Sequence, residues 1–174
     1  EAQFEHHLES GPSLPACLYW VQKVQARFLA GDHAGAVAAA AKARPLLWTM
    51  PSFPESAEYV FYAALACAAH HDDAPKDERP QLHDELATHH ARLAAWAEHG
   101  PARFRDRAEL TNAELMRIRG DADQAARLYE QAIRTAHVHG SVHIEAIAYE
   151  RAARFHRERG RADGLQRREP HVRP

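Results

Sequence analysis

The chain has 174 residues and a formal net charge of −2, from 22 basic and 24 acidic side chains, so no bulk charge draws it to nucleic acid or to an anionic membrane. That length suits one core or one short helical array. Alanine, arginine, glutamate and leucine dominate while β-branched residues are scarce, which favours helix and leaves no alternating run that would read as a strand.

Residues 1–15 read as the end of a preceding helical unit or a linker, broken by Gly11, Pro12 and Pro15. From Ala16 to Ala30 the residues Cys17, Trp20, Val21, Val24 and Phe28 recur at three- and four-residue steps, the pattern of a helix with one buried face. Gly31 ends it. A second, alanine-rich helix is predicted from Asp32 to about Leu47, with Pro45 tightening or ending its last turn. Residues 52–71 are the organising stretch. Ser52 and Glu55 have capping-box spacing, Pro54 falls in the first turn, and from Tyr59 to Ala69 every residue is apolar or aromatic, including Tyr62 and Leu65. A helix apolar all round is covered on all sides, so this one is expected at the centre of a helical stack; Glu58 and the two tyrosines argue against a membrane span.

Residues 72–80 read as an exposed loop, and the helix from Gln81 to His99 puts Leu82, Leu86, His89, Leu93 and Trp96 on one seam. Gly100, Gly120, Gly140 and Gly160 then punctuate three further helices, each expected just past a helix end. Ser141 is placed as the cap of the last. Beyond Gly160 the periodicity fades into an arginine-rich stretch, read as a frayed or truncated basic tail over 161–174. With no initiator methionine and no leader, the chain reads as a piece of something larger. Cys17 and Cys67 lie in apolar helical contexts without metal or disulfide spacing, consistent with buried thiols in a reducing, cytoplasmic setting.

Gly31-Asp-His-Ala-Gly-Ala aligns with Gly120-Asp-Ala-Asp-Gln-Ala, glycine, aspartate and alanine falling in register, which is internal repetition. Both segments resemble the central part of a tetratricopeptide repeat, the second more closely through Tyr129, Ala132 and Ile133. The fold class expected is all-α: a right-handed alpha-alpha superhelix of tetratricopeptide-like repeats over 16–160, about seven helices, with Gly31, Ala36, Tyr59, Tyr62, Leu65, Gly120, Ala125, Tyr129 and Ala132 as structural residues. A turn spacing of about 40 to 47 exceeds that repeat's usual 34. A second resemblance rests on Lys23-Val-Gln-Ala-Arg-Phe-Leu-Ala-Gly-Asp32, Leu46-Leu-Trp-Thr-Met-Pro-Ser-Phe53, Ala57-Glu-Tyr-Val-Phe-Tyr-Ala-Ala-Leu-Ala66 and Arg127-Leu-Tyr-Glu-Gln-Ala-Ile-Arg134. These look like the helical-repeat region of large bacterial multidomain signalling kinases, in which a serine/threonine-kinase-like domain and an ATPase domain precede such repeats and a sensor histidine kinase follows. The resemblance implies a place between signalling domains.

No GxxxxGK[ST] or GxGxxG phosphate loop occurs, and Lys23, Lys42 and Lys76 are the only lysines, so nucleotide binding, any cofactor and a catalytic role are not expected of these residues. Fourteen histidines raise a metal module as an alternative, through the run His70, His71, Asp72, Asp73, through His83, His89 and His90, or through His139 and His143; no HExxH or CxxC spacing fixes their convergence. A solvated surface with His89 as a hydrogen-bonded seam residue is the plainer account. Carrying over the tetratricopeptide register points Gln25, Arg107, Glu114, Arg117, Glu150, Arg154 and Arg157 towards a partner groove, whose arginines would suit an acidic peptide. The same positions also read as a solvated face with pairs such as Glu150 and Arg154. The expected role is a non-catalytic scaffold or interaction module in bacterial signal transduction, its partner a protein, a peptide or neighbouring domains of the same chain, with no nucleic acid or membrane. An uncapped last hairpin would leave a face open to homodimerisation. A further alternative is the helical sensor arm of an ATPase-type transcription regulator, with Trp20, Tyr59 or Tyr62 lining an inducer pocket.

Overall fold

The computed structural model describes residue 5 and residues 13–51 and 53–166, with side chains to residue 161. Among the described residues there are seven α-helices, one 3₁₀ helix and no strand: α1 Leu14–Leu29, α2 His33–Ala43, the 3₁₀ helix Arg44–Thr49, α3 Pro54–Asp73, α4 Arg79–His99, α5 Pro101–Arg119, α6 Ala122–Val138 and α7 Val142–Gln166. The all-α class is as expected. The chain divides at Pro101/Ala102 into two compact units.

In the first unit α1 packs on α2 and α3, α2 on α3, and α3 on α4. Pro15 does not break α1 but sits in its first turn, where the missing N–H has no partner to lose, and Ser13 caps it by accepting from the Ala16 amide at 3.3 Å. Ala36, Ala39, Ala40 and Ala43 form the buried face of α2. The α-helix stops at Ala43, short of the expected Leu47, because Pro45 cannot supply the next i→i−4 bond; the chain tightens into the 3₁₀ helix instead. In α3 the eleven residues Tyr59 to Ala69 are all buried, and α1, α2 and α4 surround them. The N-cap of α3 is Phe53, with extended backbone and no side-chain cap bond; Ser52 of the expected capping box lies outside the described residues. The 72–80 loop is shorter than expected, since α3 runs to Asp73 and α4 starts at Arg79. Arg79 closes that corner by donating to the carbonyls of Ala74 at 3.0 Å and Asp72 at 3.2 Å.

The repeated Gly-Asp motif has one geometry at both sites. Gly31 has φ +79° and Gly120 φ +82°; their amides donate to the carbonyls of Phe28 and Arg117, and the amides of Asp32 and Asp121 to those of Arg27 and Met116. This is the Schellman closure that a left-handed residue completes. Each aspartate then caps the following helix, Asp32 accepting from the Gly35 amide at 2.9 Å and Asp121 from that of Gln124 at 3.0 Å. Gly140, φ +67°, repeats the closure between α6 and α7, with Ser141 in the aspartate position. Gly160 does not. Helix α7 runs through it to Gln166, so the expected stop at 160, with a basic tail from 161, is corrected: no left-handed residue or proline interrupts the ladder there. Residues 1–4, 6–12 and 167–174, which hold most of the expected preceding unit or linker and the rest of the tail, lie outside the described residues.

Candidate functional site

The residues expected to share a groove do not share one environment. Gln25, on α1, donates to the Tyr62 hydroxyl at 3.3 Å. Arg107, on α5, is buried, with its guanidinium bonded to the Arg103 carbonyl at 2.9 Å and 3.5 Å from Asp106. Glu114 is 0% exposed. Its Oε1 accepts from Arg151 Nε at 2.6 Å, and its Oε2 from Arg151 Nη2 at 3.0 Å and Arg117 Nε at 2.8 Å. Burial pushes this carboxyl up, but the guanidiniums of Arg151 and Arg117 hold it down at about 2. Both oxygens are taken, so Glu114 has nothing to offer a surface partner. Together with Arg151 it ties α5 to α7, and its placement in an accessible groove is corrected accordingly. The buried Tyr129 hydroxyl lies beside this cluster without a well-formed hydrogen bond, and burial followed by the Glu114 charge raises its pKa. The Tyr129 ring packs on Phe155 at 5.3 Å.

Arg151 is not among the residues expected in the groove. The signal that could have found the pair is positional: Arg151 interrupts the apolar series Ile144, Ile147, Ala148, Ala152, Phe155, and Glu114 interrupts Leu110, Ala113, Leu115. Opposite charges lodged in two buried stripes are partners in waiting. Of the remaining groove residues, Glu150 and Arg157 are exposed on α7, and Arg154 pairs with Glu158 at 2.9 Å. The structural residues Ala36, Tyr59, Tyr62, Leu65, Ala125, Tyr129 and Ala132 are all buried as expected.

A second polar cluster joins the 3₁₀ helix to α3 and α4. Arg44 pairs with Glu85 at 2.8 Å, the Cys67 thiol lies 3.9 Å from the same carboxylate, and the Tyr59 hydroxyl donates to the Ala40 carbonyl at 3.2 Å. His89, expected as a hydrogen-bonded seam residue, packs edge-on against the Tyr59 ring at 5.7 Å. Burial, followed by the Glu85 charge, pushes the thiol up to about 12, and burial lowers His89 to about 4. At neutral pH the thiol is protonated and the imidazole uncharged, so this set holds no activated nucleophile. Among the described residues no three His, Cys, Asp or Glu side chains converge as a metal ion requires, and no helix is long and apolar enough to cross a membrane.

Exposed large apolar side chains occur in both units, Leu29, Trp48 and Phe53 in the first and three on α6 and α7 in the second. Val138, Val142 and Tyr149 are 78%, 74% and 56% exposed. An open concavity of about 360 Å³ between the two helices is lined by Ile133, Arg134, His137, Val138, Glu145 and Tyr149, and His137 spans it to Glu145 at 3.2 Å. Val142, Ala146, Tyr149 and Ala153 follow steps of four, three and four along α7, and all are exposed. Helix α6 uses the same spacing at Ala125, Tyr129, Ala132 and Ala136, all buried. The outer face of α7 therefore carries the kind of stripe that elsewhere in this unit is covered by a helix. Tyr59 and Tyr62, considered for an inducer pocket, are enclosed in the core; Trp20 does line a cleft between α1 and α2. Comparison with known protein families, with curated proteins and with solved structures finds no match.

Proposed function

We propose that the chain is a non-catalytic, tetratricopeptide-like scaffold in a bacterial signal-transduction protein, and that it docks a helix of a partner or of a neighbouring domain on the outer face of α6 and α7. The observation that carries this reading is the row Val142, Ala146, Tyr149, Ala153, exposed at helix-packing spacing beside Val138. Glu150, Arg154 and Arg157 flank the row and would set the register of the incoming helix. The quiet chemistry of the two polar clusters fits a scaffold, and the four segments that resemble signalling-kinase repeats support the setting.

Hydrogen exchange tests it. In the presence of the adjoining signalling domains, amides over 133–153 should gain protection, and Tyr149→Glu should abolish the gain without altering the helical circular dichroism. Exchange unchanged by those domains would sink the reading. Concentration-dependent dimerisation lost in the same variant would identify a second copy as the occupant. The runner-up, a sensor arm that binds a small inducer, draws on the cleft at Trp20.

A further inference from the structure

The row on the outer face of α7 is complementary to itself. Val142, Ala146, Tyr149 and Ala153 are all exposed, and they alternate large with small along one line of the helix. Val142 pairs with Ala153, and Ala146 with Tyr149, about a single midpoint between Ile147 and Ala148. A two-fold axis at that midpoint sets two α7 helices antiparallel, with Tyr149 of each over Ala146 of the other and Val142 over Ala153. Every large side chain then meets a small one, as close helix packing requires.

The polar residues beside the row follow the same symmetry. In an antiparallel pair about such an axis, each edge of the row faces the same edge of its copy. Glu145, which reaches His137 of α6, marks one edge. By helical spacing His143 and Glu150, both exposed, lie on the other. The axis brings Glu150 of one copy within two residues' rise, about 3 Å along the helix, of His143 of the other, and it does so twice. The two Glu150 carboxylates stand about 7.5 Å apart along the same direction, so no like charges are set level. Within one helix His143 and Glu150 are seven residues apart, beyond the three- and four-residue steps at which intrahelical pairs meet. A row about 18 Å long covers less than the 1,200–2,000 Å² of a standard interface, so the association is weak, with a dissociation constant on the order of 10 µM.

We infer that the occupant of this face is a second copy of the chain, its α7 antiparallel to the first about a two-fold axis between Ile147 and Ala148; the inference rests on the reading of the face as a helix-docking surface. Sedimentation equilibrium of the full 174-residue chain, from about 1 to 200 µM, should show a reversible monomer–dimer equilibrium. Tyr149→Glu should abolish it. His143→Glu, which sets a second carboxylate against Glu150 of the copy at both symmetry-related places, should weaken it about tenfold. Adding Glu150→Lys to His143→Glu restores opposite charges across the axis and should recover at least the native affinity, a rescue that pairing within one helix cannot supply. All four residues altered or flanked are exposed, and circular dichroism should show each variant as helical as the native chain. A dimer that survives Tyr149→Glu, or a double variant as weak as His143→Glu alone, would overturn the inference. A chain that stays monomeric to about 200 µM, yet gains exchange protection over 133–153 from the adjoining domains, would overturn the second copy and leave the docking face standing. A monomer without that protection would end both readings.

Discussion

Replacing Glu114 by glutamine would leave the Arg151 guanidinium buried against a neutral amide, and breaking a buried pair in this way costs about 3–5 kcal/mol. Urea unfolding should show that loss for Glu114→Gln, and much of it should be recovered in the double variant Glu114→Leu, Arg151→Met, which removes both charges. Because folding lowers the Glu114 pKa from 4.5 to about 2, its stabilisation is fully present above pH 4.5 and is lost as pH falls towards 2. His89 acts in an earlier window. Burial lowers its pKa from 6.5 to about 4, so between those values the unfolded chain takes up the proton first. Stability should therefore fall by roughly 3 kcal/mol from pH 6.5 to 4. His89→Phe keeps a ring against Tyr59 and should remove that phase from a pH series of melting temperatures. The sequence placed each group but not its partner: Glu114 and Arg151 each interrupt an apolar stripe yet are 37 residues apart, and His89 falls on the α4 seam without any sign that it packs on Tyr59 of α3.

Among the elements, the three left-handed glycine turns were legible because each needs a residue without a Cβ, and nothing else in the chain meets that need so cheaply. An added Cβ at Gly31 or Gly120 touches nothing, so the cost of alanine there is purely conformational, about 1 kcal/mol each by denaturant midpoint. Gly160→Ala should do the opposite and stabilise by about 1 kcal/mol, since it lies within α7 and is exposed. Opposite signs from one substitution type separate a glycine that turns the chain from one that only dilutes a helix. Composition cannot separate them, which is why α7 was read as ending too early. Helix α3 was the easiest element to read. Eleven apolar residues in succession leave it no polar face, and the three surrounding helices follow from that.

At the scale of the molecule, the partners that enclose α3 all belong to the first unit, so a chain of residues 1–101 should unfold cooperatively by itself, as a single calorimetric transition. A broad, non-cooperative melt would show that the unit depends on the rest of the chain. The surface that carries the proposed function was harder to read than this core. Tetratricopeptide register pointed to charged positions, yet two of them, Arg107 and Glu114, fold inward, while Val142 and Tyr149, apolar by type, lie outside.

The sealed thiols have a practical corollary. Cys17 and Cys67 are both enclosed and both held protonated, so the native protein should be silent to Ellman's reagent and to maleimides until it is denatured. A cysteine introduced at Val138 would then be the sole handle for a fluorophore or spin label. The chain arrives ready for distance measurements across its proposed docking face, with no native cysteine to remove first.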